Sequence, residues 1–262
     1  MSRTKKRSGG SSPIKRFVRY SGGTGAFSYY DKSTEETVEL DTLNVIVLDV
    51  RSSITGFYEE KKASISSNMV LDTKKEPFKV IAFANKKPIE IAEGLYATIK
   101  PELAKVGGKF TSNIIGLVDF GDGWEISNIQ LSGVALNSWI EFTSEHDNNS
   151  YYDYLVTFKK GLLSKRDNGK NVPVTKKEEE VLDAKLKKNP RAPKPVWFYT
   201  VGFDIEDLTD EQIQLAEEED TKLQEYFEGV SSAPVKEKST ERVTDAPEPS
   251  DDEEEDESDL PF

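Results

Sequence analysis

Cations stand beside flat rings at many points of this sequence. Lys15-Arg16-Phe17-Val18-Arg19-Tyr20 is the first such run; Phe57 and Tyr58 are followed by Lys61 and Lys62; Lys109 precedes Phe110, and Phe158 precedes Lys159 and Lys160. Lys165 and Arg166 open a hairpin, and Arg191 and Lys194 lead into Trp197-Phe198-Tyr199, the densest aromatic cluster. Such pairs offer positive charge for phosphates and π faces for stacking, about 1–3 kcal/mol per stacked base. Other chemistries have weaker support. With no cysteine, thiol catalysis, disulfides and zinc ribbons are excluded. His146, the only histidine, sits in the polar stretch Glu145-His146-Asp147-Asn148-Asn149, so His/Cys zinc sites are excluded and a His-dependent triad has little to rest on. Asp119, Asp122 and Glu125 have the chemistry for Mg²⁺, but they surround a glycine turn, where acids are ordinarily just exposed. Ser21-Gly22-Gly23-Thr24-Gly25 lacks the Gly-Lys-Ser/Thr ending of a phosphate loop and reads as a flexible turn. No metal and no cofactor is expected.

Each ring has core packing as its alternative. Phe17, Phe78, Phe83 and Phe158 read as core, since Phe has no polar handle. Tyr20, Tyr58, Trp197 and Tyr199 suit a half-wet surface equally well, and Tyr151, Tyr152 and Tyr154 can belong to the same surface. In the first run, strand alternation puts Lys15, Phe17 and Arg19 on one face and Arg16 and Tyr20 on the other.

The elements that must carry these residues are short β-branched and aromatic runs divided by turns. Strands are expected at Ile14–Tyr20, Asn44–Val50, Ile54–Glu59, Ser64–Val70, Phe78–Ala84, Lys109–Phe120, Glu125–Leu131, Tyr154–Leu163 and Val196–Phe203. Gly121-Asp122-Gly123 separates two of them, and Asp167-Asn168-Gly169 contains the Asn-Gly step of tight hairpins. Helices are expected at Ile89–Val106, weakened by Gly94 and Pro101, at Ala135–Phe142, and at Lys176–Lys188, where Glu178, Glu179 and Glu180 precede Lys185, Lys187 and Lys188 in the order the helix dipole favours. The pattern describes a mainly β protein. An OB-fold-like barrel with inserted helices, a barrel that recurrently binds oligonucleotides, is preferred, and an immunoglobulin-like sandwich fits the strand count nearly as well.

Of the residues, 35% are hydrophobic, enough for one sizeable core but low for a chain folded throughout. The net charge of −13 is unevenly spread: up to Phe203, 31 Lys and Arg face 25 Asp and Glu, an excess of six positive charges, whereas from Asp204 onward 4 face 23, an excess of nineteen negative ones. Residues 1–12 form a basic arm expected to be flexible, 13–203 the basic binding domain, 204–229 an acidic helix with Thr209 as N-cap and only a partly apolar face, expected to pack loosely, 230–249 a disordered linker, and 250–262 an acidic tip. No run approaches the roughly 18 apolar residues of a membrane span, and Met1 to Gly10 lacks the apolar stretch of a signal peptide, so a cytoplasmic protein without membrane contact is expected.

The tip departs from a plain solubilising tail because the acidic run 251–259 is followed by Leu260-Pro261-Phe262. An apolar ring beside a carboxylate suits a pocket flanked by Arg or Lys, and Pro261 lowers the entropic cost of binding. This ending resembles the C-terminal tip of bacterial single-stranded DNA-binding proteins, which typically end in acids followed by Ile-Pro-Phe, and the acid-rich tails ending in Phe of bacteriophage proteins such as the T7-type family. The resemblance covers about a dozen residues, with Leu260 in place of the usual Ile. It implies an OB-fold body, and it implies that Asp256, Glu257, Asp259, Leu260, Pro261 and Phe262 dock replication and repair enzymes such as a DNA polymerase, primase, helicase or nuclease. The body is longer than a bacterial domain of this kind and the linker is not Gly/Gln/Pro-rich, which points toward a phage-encoded or divergent version acting in host cytoplasm. The expected function is binding of single-stranded DNA without strong sequence preference in replication, recombination and repair, through Lys15, Arg16, Arg19, Tyr20, Phe57, Tyr58, Lys61, Lys62, Lys109, Lys159, Lys160, Lys165, Arg166, Arg191, Lys194, Trp197 and Tyr199. The tail is expected to compete for the same groove. The alternatives are an adaptor binding duplex DNA or protein, and a Mg²⁺-dependent nuclease.

Overall fold

The computed structural model describes residues 12–84, 87–146, 150–167 and 170–228. The arm before Ser12, the linker 230–249, the tip 250–262 and the Asn168-Gly169 step lie outside the described residues. In chain order the elements are β1 (Arg16–Ser21), β2 (Ala26–Asp31), β3 (Glu36–Leu40), β4 (Thr42–Tyr58), β5 (Ala63–Ser67), β6 (Phe78–Ala84), β7 (Lys87–Gly94), α1 (Tyr96–Val106), β8 (Gly108–Asp119), β9 (Trp124–Ser132), α2 (Gly133–Glu145), β10 (Tyr154–Asp167), β11 (Lys170–Pro173), α3 (Lys176–Lys188), β12 (Trp197–Asp207) and α4 (Asp210–Glu228). The protein is mainly β, with a large mixed sheet.

Strand β4 organises that sheet. One edge pairs antiparallel with β8 from Asn44 to Gly56. The other edge is shared: β10 takes Thr42 to Ile46, Val70 bridges Ser52, and β5 takes Gly56 to Tyr58. A register shift between Val47 and Asp49 inserts one extra residue, the mark of a β-bulge. Gly116 lies opposite, where a Cβ would stand 2.4 Å from the Ile46 carbonyl oxygen, so only glycine admits so close an approach. From β8 the sheet continues to β9 and then to β1, which runs parallel to β9, followed by β2 and β3. At its far side, β12 pairs with β10 and returns toward β1: Tyr199 N–H donates to the Gly22 carbonyl at 2.7 Å, and the Tyr20 hydroxyl donates to the Thr200 carbonyl at 2.7 Å.

Alternation distributes the apolar side chains into three cores. Val18, Val45, Val47, Ile114, Ile129, Leu131, Val156, Phe158 and Val201 point inward, and α2 closes that core with Ala135, Trp139 and Phe142. The insertion between β4 and β8 has a core of its own around Ile54, Ile65, Phe78, Val80, Ile99 and Leu103. On the outer face Ile46, Ile115, Leu117 and Ile126 are covered by α4 through Leu223, which is 0% exposed.

Several expectations require correction. Ile89–Val106 is not one helix: Ile89 to Glu93 belong to β7, paired with β6, and Gly94 at φ 151° breaks the chain before α1 begins at Tyr96. The expected strands Asn44–Val50 and Ile54–Glu59 are one, because Arg51, Ser52 and Ser53 between them pair in unbroken register with Asn113, Ser112 and Thr111 of β8. β2 and β3 add to the expected strands, with Phe27 and Tyr29 alternating inward along β2. β12 runs past Phe203 to Asp207, and α4 seals Leu223 into the outer-face core with Leu215, Ala216 and Phe227 partly buried beside it. Its N-terminus does have Thr209 as cap, accepting from Gln212 N–H while the Gln212 side chain accepts from Thr209 N–H.

Because α4 shares a core with the sheet, Leu223→Ala is expected to destabilise the whole described body by about 2–5 kcal/mol, measured as a lowered urea midpoint. A loosely docked helix would leave the midpoint in place.

Candidate functional site

Beyond the part covered by α4, the outer face of β1, β9, β8 and β4 turns polar. Cross-strand register aligns Arg19, Gln130, Asn113 and Arg51 in one row over these four strands. Asn113, fully buried, donates to Ser53 Oγ at 2.8 Å and accepts from Asn128 Nδ2 at 3.1 Å and Gln130 Nε2 at 3.4 Å. The Thr55 and Thr111 hydroxyls share a hydrogen bond of 2.6 Å nearby. The amides thus form a fixed floor. One atom in it, Asn128 Oδ1, is buried with no hydrogen-bond partner, a cost of about 1–3 kcal/mol.

Three phenylalanines stand out on this face, Phe17 at 42% exposure, Phe57 at 45% and Phe83 at 48%. Phe57 and Phe83 lie on either side of Ser64 in register across β4, β5 and β6, roughly 10 Å apart at the strand spacing. Phe17 shares the face of β1 with exposed Lys15 and Arg19, as alternation requires, while Lys109 is exposed on β8 beside Thr55. Lys61 and Lys62 are exposed in the β4–β5 turn, where Lys62 pairs with Glu59 at 2.8 Å.

The remaining candidates go elsewhere. Arg16 turns inward, 3.3 Å from Glu125 and over the rings of Tyr29 and Phe120. Tyr20 packs on Phe27, and burial, helped by Tyr199, pushes its hydroxyl pKa up to about 12. Tyr58 faces the insertion core, its hydroxyl directed at Glu60. A second group gathers on β10 and β12: Lys160 Nζ lies 3.7 Å from the centre of the Tyr199 ring, Lys159 pairs with Asp204, Lys165 with Glu178, and Arg166 bonds Asn171 Oδ1 at 2.9 Å. Trp197 is half-buried at the start of β12, and Arg191 and Lys194 are exposed just before it.

Phe17 and Phe83, assigned to the core from residue type, are instead among the most exposed rings, whereas Phe78 and Phe158 are buried. For Phe17 the signal is present in the sequence: its neighbours on the same strand face are Lys15 and Arg19. The amides of Asn113, Asn128 and Gln130 are not among the candidates read from sequence, since they gain significance only through strand register. Asp119 Oδ1 accepts from Gly121 N–H at 2.8 Å, which is turn chemistry, and among the described residues no group of three or more His, Cys, Asp or Glu side chains is placed to hold a metal ion. Among the described residues no helix is long and apolar enough to cross a membrane. Comparison with protein-family models, with curated proteins and with solved structures finds no match.

At the start of α3, Glu178 accepts from Lys165 and from the backbone and hydroxyl of Thr175, which hold its carboxyl down at about 2. A carboxyl lowered on folding stabilises above its unfolded value of 4.5 and loses that contribution as pH falls toward 2. An NMR titration is expected to place the Glu178 midpoint well below that of exposed glutamates, and Lys165→Met to move it upward; an ordinary midpoint would dissolve the link between α3 and β10.

Proposed function

We propose that this protein binds single-stranded DNA without strong sequence preference, in replication, recombination and repair. The observation that carries the reading is the combination, on one sheet face, of half-exposed Phe17, Phe57 and Phe83 with exposed Lys15, Arg19 and Lys109 around a polar floor, with Lys61 exposed in the adjoining β4–β5 turn. Exposed phenylalanines have an unfavourable contact with water that stacked bases would relieve, and cations between them suit the phosphates. A protein-docking patch would call for a depleted charge at its centre and an apolar floor, which this face lacks.

An OB-fold-like arrangement of five strands is part of the proposal. Its support is the order of β4, β8, β9, β10 and β12, in which β4 pairs with both β8 and β10 and the chain closes near β1 and β12. In OB-folds the second and third strands and the loops after the first and fourth bind oligonucleotides. The corresponding strands here are β8 and β9. The first loop corresponds to the insertion bearing Lys61, Lys62 and Phe83, and the second to the stretch between β10 and β12 with Arg191 and Lys194. Lys165, Arg166, Trp197 and Tyr199 flank that second loop, so under this correspondence both groups of candidates would serve one ligand path. Asp256, Glu257, Asp259, Leu260, Pro261 and Phe262 are assigned to recruitment of a polymerase, primase, helicase or nuclease, and the acidic tail from Asp251 onward to competition for the cationic face.

Fluorescent dT oligomers titrated against a duplex control test this. The expected result is preference for the single strand and a loss of affinity of roughly 50-fold between about 50 and about 200 mM salt if about four phosphates are neutralised. Phe57→Ala and Phe83→Ala are each expected to weaken binding about 5- to 150-fold. Equal affinity for duplex favours the adaptor alternative, and indifference to dT at low salt removes the proposal.

A further inference from the structure

The polar row ends at Arg51 with a contact the proposed function leaves unexplained. Arg51 lies in register with Asn113, and through it with Gln130 and Arg19, so it belongs to the same outer face as the exposed rings. Its guanidinium is held in place by Asp49, with Nε 2.6 Å from Oδ2. The Phe227 ring lies over it, 3.5 Å from guanidinium carbon to ring centre. A guanidinium fixed in plane by a carboxylate is a platform for any flat π system, a phenyl ring or a nucleobase alike.

Phe227 sits in the last turn of α4, and that turn is weakly made. It carries Glu225 and Glu228 and no basic residue, so its charges oppose the helix dipole instead of complementing it. Tyr226 beside it is exposed. One turn earlier Leu223 is fully buried, which anchors the helix on the sheet whether or not residues 225–228 stay helical. The last turn is therefore free to fray without undocking α4.

We propose that Arg51 is a further nucleotide position on this face, a platform for one unpaired base, and that Phe227 occupies it until a strand arrives. The proposal rests on the single-strand reading above. It extends the ligand path from the exposed rings on β1 and β4 to beneath the end of α4, and it makes the release of that turn the local consequence of binding.

Phe227→Ala is expected to tighten binding of a dT oligomer roughly two- to tenfold, and to have no such effect in an Arg51→Met background. Hydrogen exchange on the unaltered chain provides a measurement that does not depend on how the variant folds: saturating dT is expected to speed exchange at residues 225–228 while Leu223 stays protected. Slower or unchanged exchange there overturns the proposal, as does a Phe227→Ala protein that binds dT no better than the parent. If dT binding is detectable and Phe57→Ala weakens it, such a failure concerns Arg51 alone. If neither the parent nor Phe227→Ala binds dT at low salt, the single-strand reading falls with it.

Discussion

Backbone satisfaction along β4 is the constraint from which the architecture follows. Its 17 residues present N–H and C=O groups on two edges, and a buried strand keeps them only if both edges are paired. β8 covers one edge almost end to end, but the other is divided among β10, the Ser52–Val70 bridge and β5. A straight strand of this length would extend about 57 Å, well beyond a small domain, so it has to bend. The bulge after Val47 and the close approach at Gly116 supply the bend. The same strand can then serve the α2-closed core with one half and the insertion core with the other.

The bulge also decides what the outer face contains. Before it, Ile46 and Leu48 point outward and need an apolar cover, which α4 provides. After it, Asp49, Arg51, Ser53, Thr55 and Phe57 point outward, and across the middle of this stretch Arg51 and Ser53 face the amides and hydroxyls of Asn113 and Thr111 on β8 and, beyond them, Gln130 and Ser132 on β9. An apolar cover over that second half would strand those groups, whereas a ligand carrying donors, acceptors and flat rings would not. The exposure of Phe57 on the polar half, while Leu223 is sealed on the apolar half, is the consequence of this change of character along one strand face.

Local alternation made much of this legible. Lys15, Phe17 and Arg19 separate from Arg16 and Tyr20 in the structure as the period of two demands, and α3 spans the stretch from Lys176 to Lys188 that its charge order indicates. Apolar runs such as Val45-Ile46-Val47-Leu48 and Ile114-Ile115-Gly116-Leu117-Val118 carry a further message, burial on both faces, and hence a second covering layer. That message identifies the need for α4, whose own sequence looks too acidic to pack. Residue type misled at Phe17 and Phe83, because hydrophobicity states a preference for burial and position decides it. The parallel pairing of β1 with β9 and the row from Arg19 to Arg51 join residues far apart in sequence, and nothing local fixes such register.

The insertion between β4 and β8 and the stretch between β10 and β12 differ in a way that bears on the proposed function. β5, β6, β7 and α1 enclose a core of their own, so Phe57 and Phe83 sit on a rigid base. α3 buries no residue and is tied to β10 by the Lys165–Glu178 contact, with the Thr175 capping box securing its first turn. Few buried contacts mean a low local cost of displacement. Under the proposed function, rings with fixed spacing would set where bases stack, while the cationic flank formed by α3, Arg191 and Lys194 would adjust to the backbone between them. Tolerance of sequence follows from that division, since every base presents a π face to a rigid ring and every phosphate the same charge to a movable one.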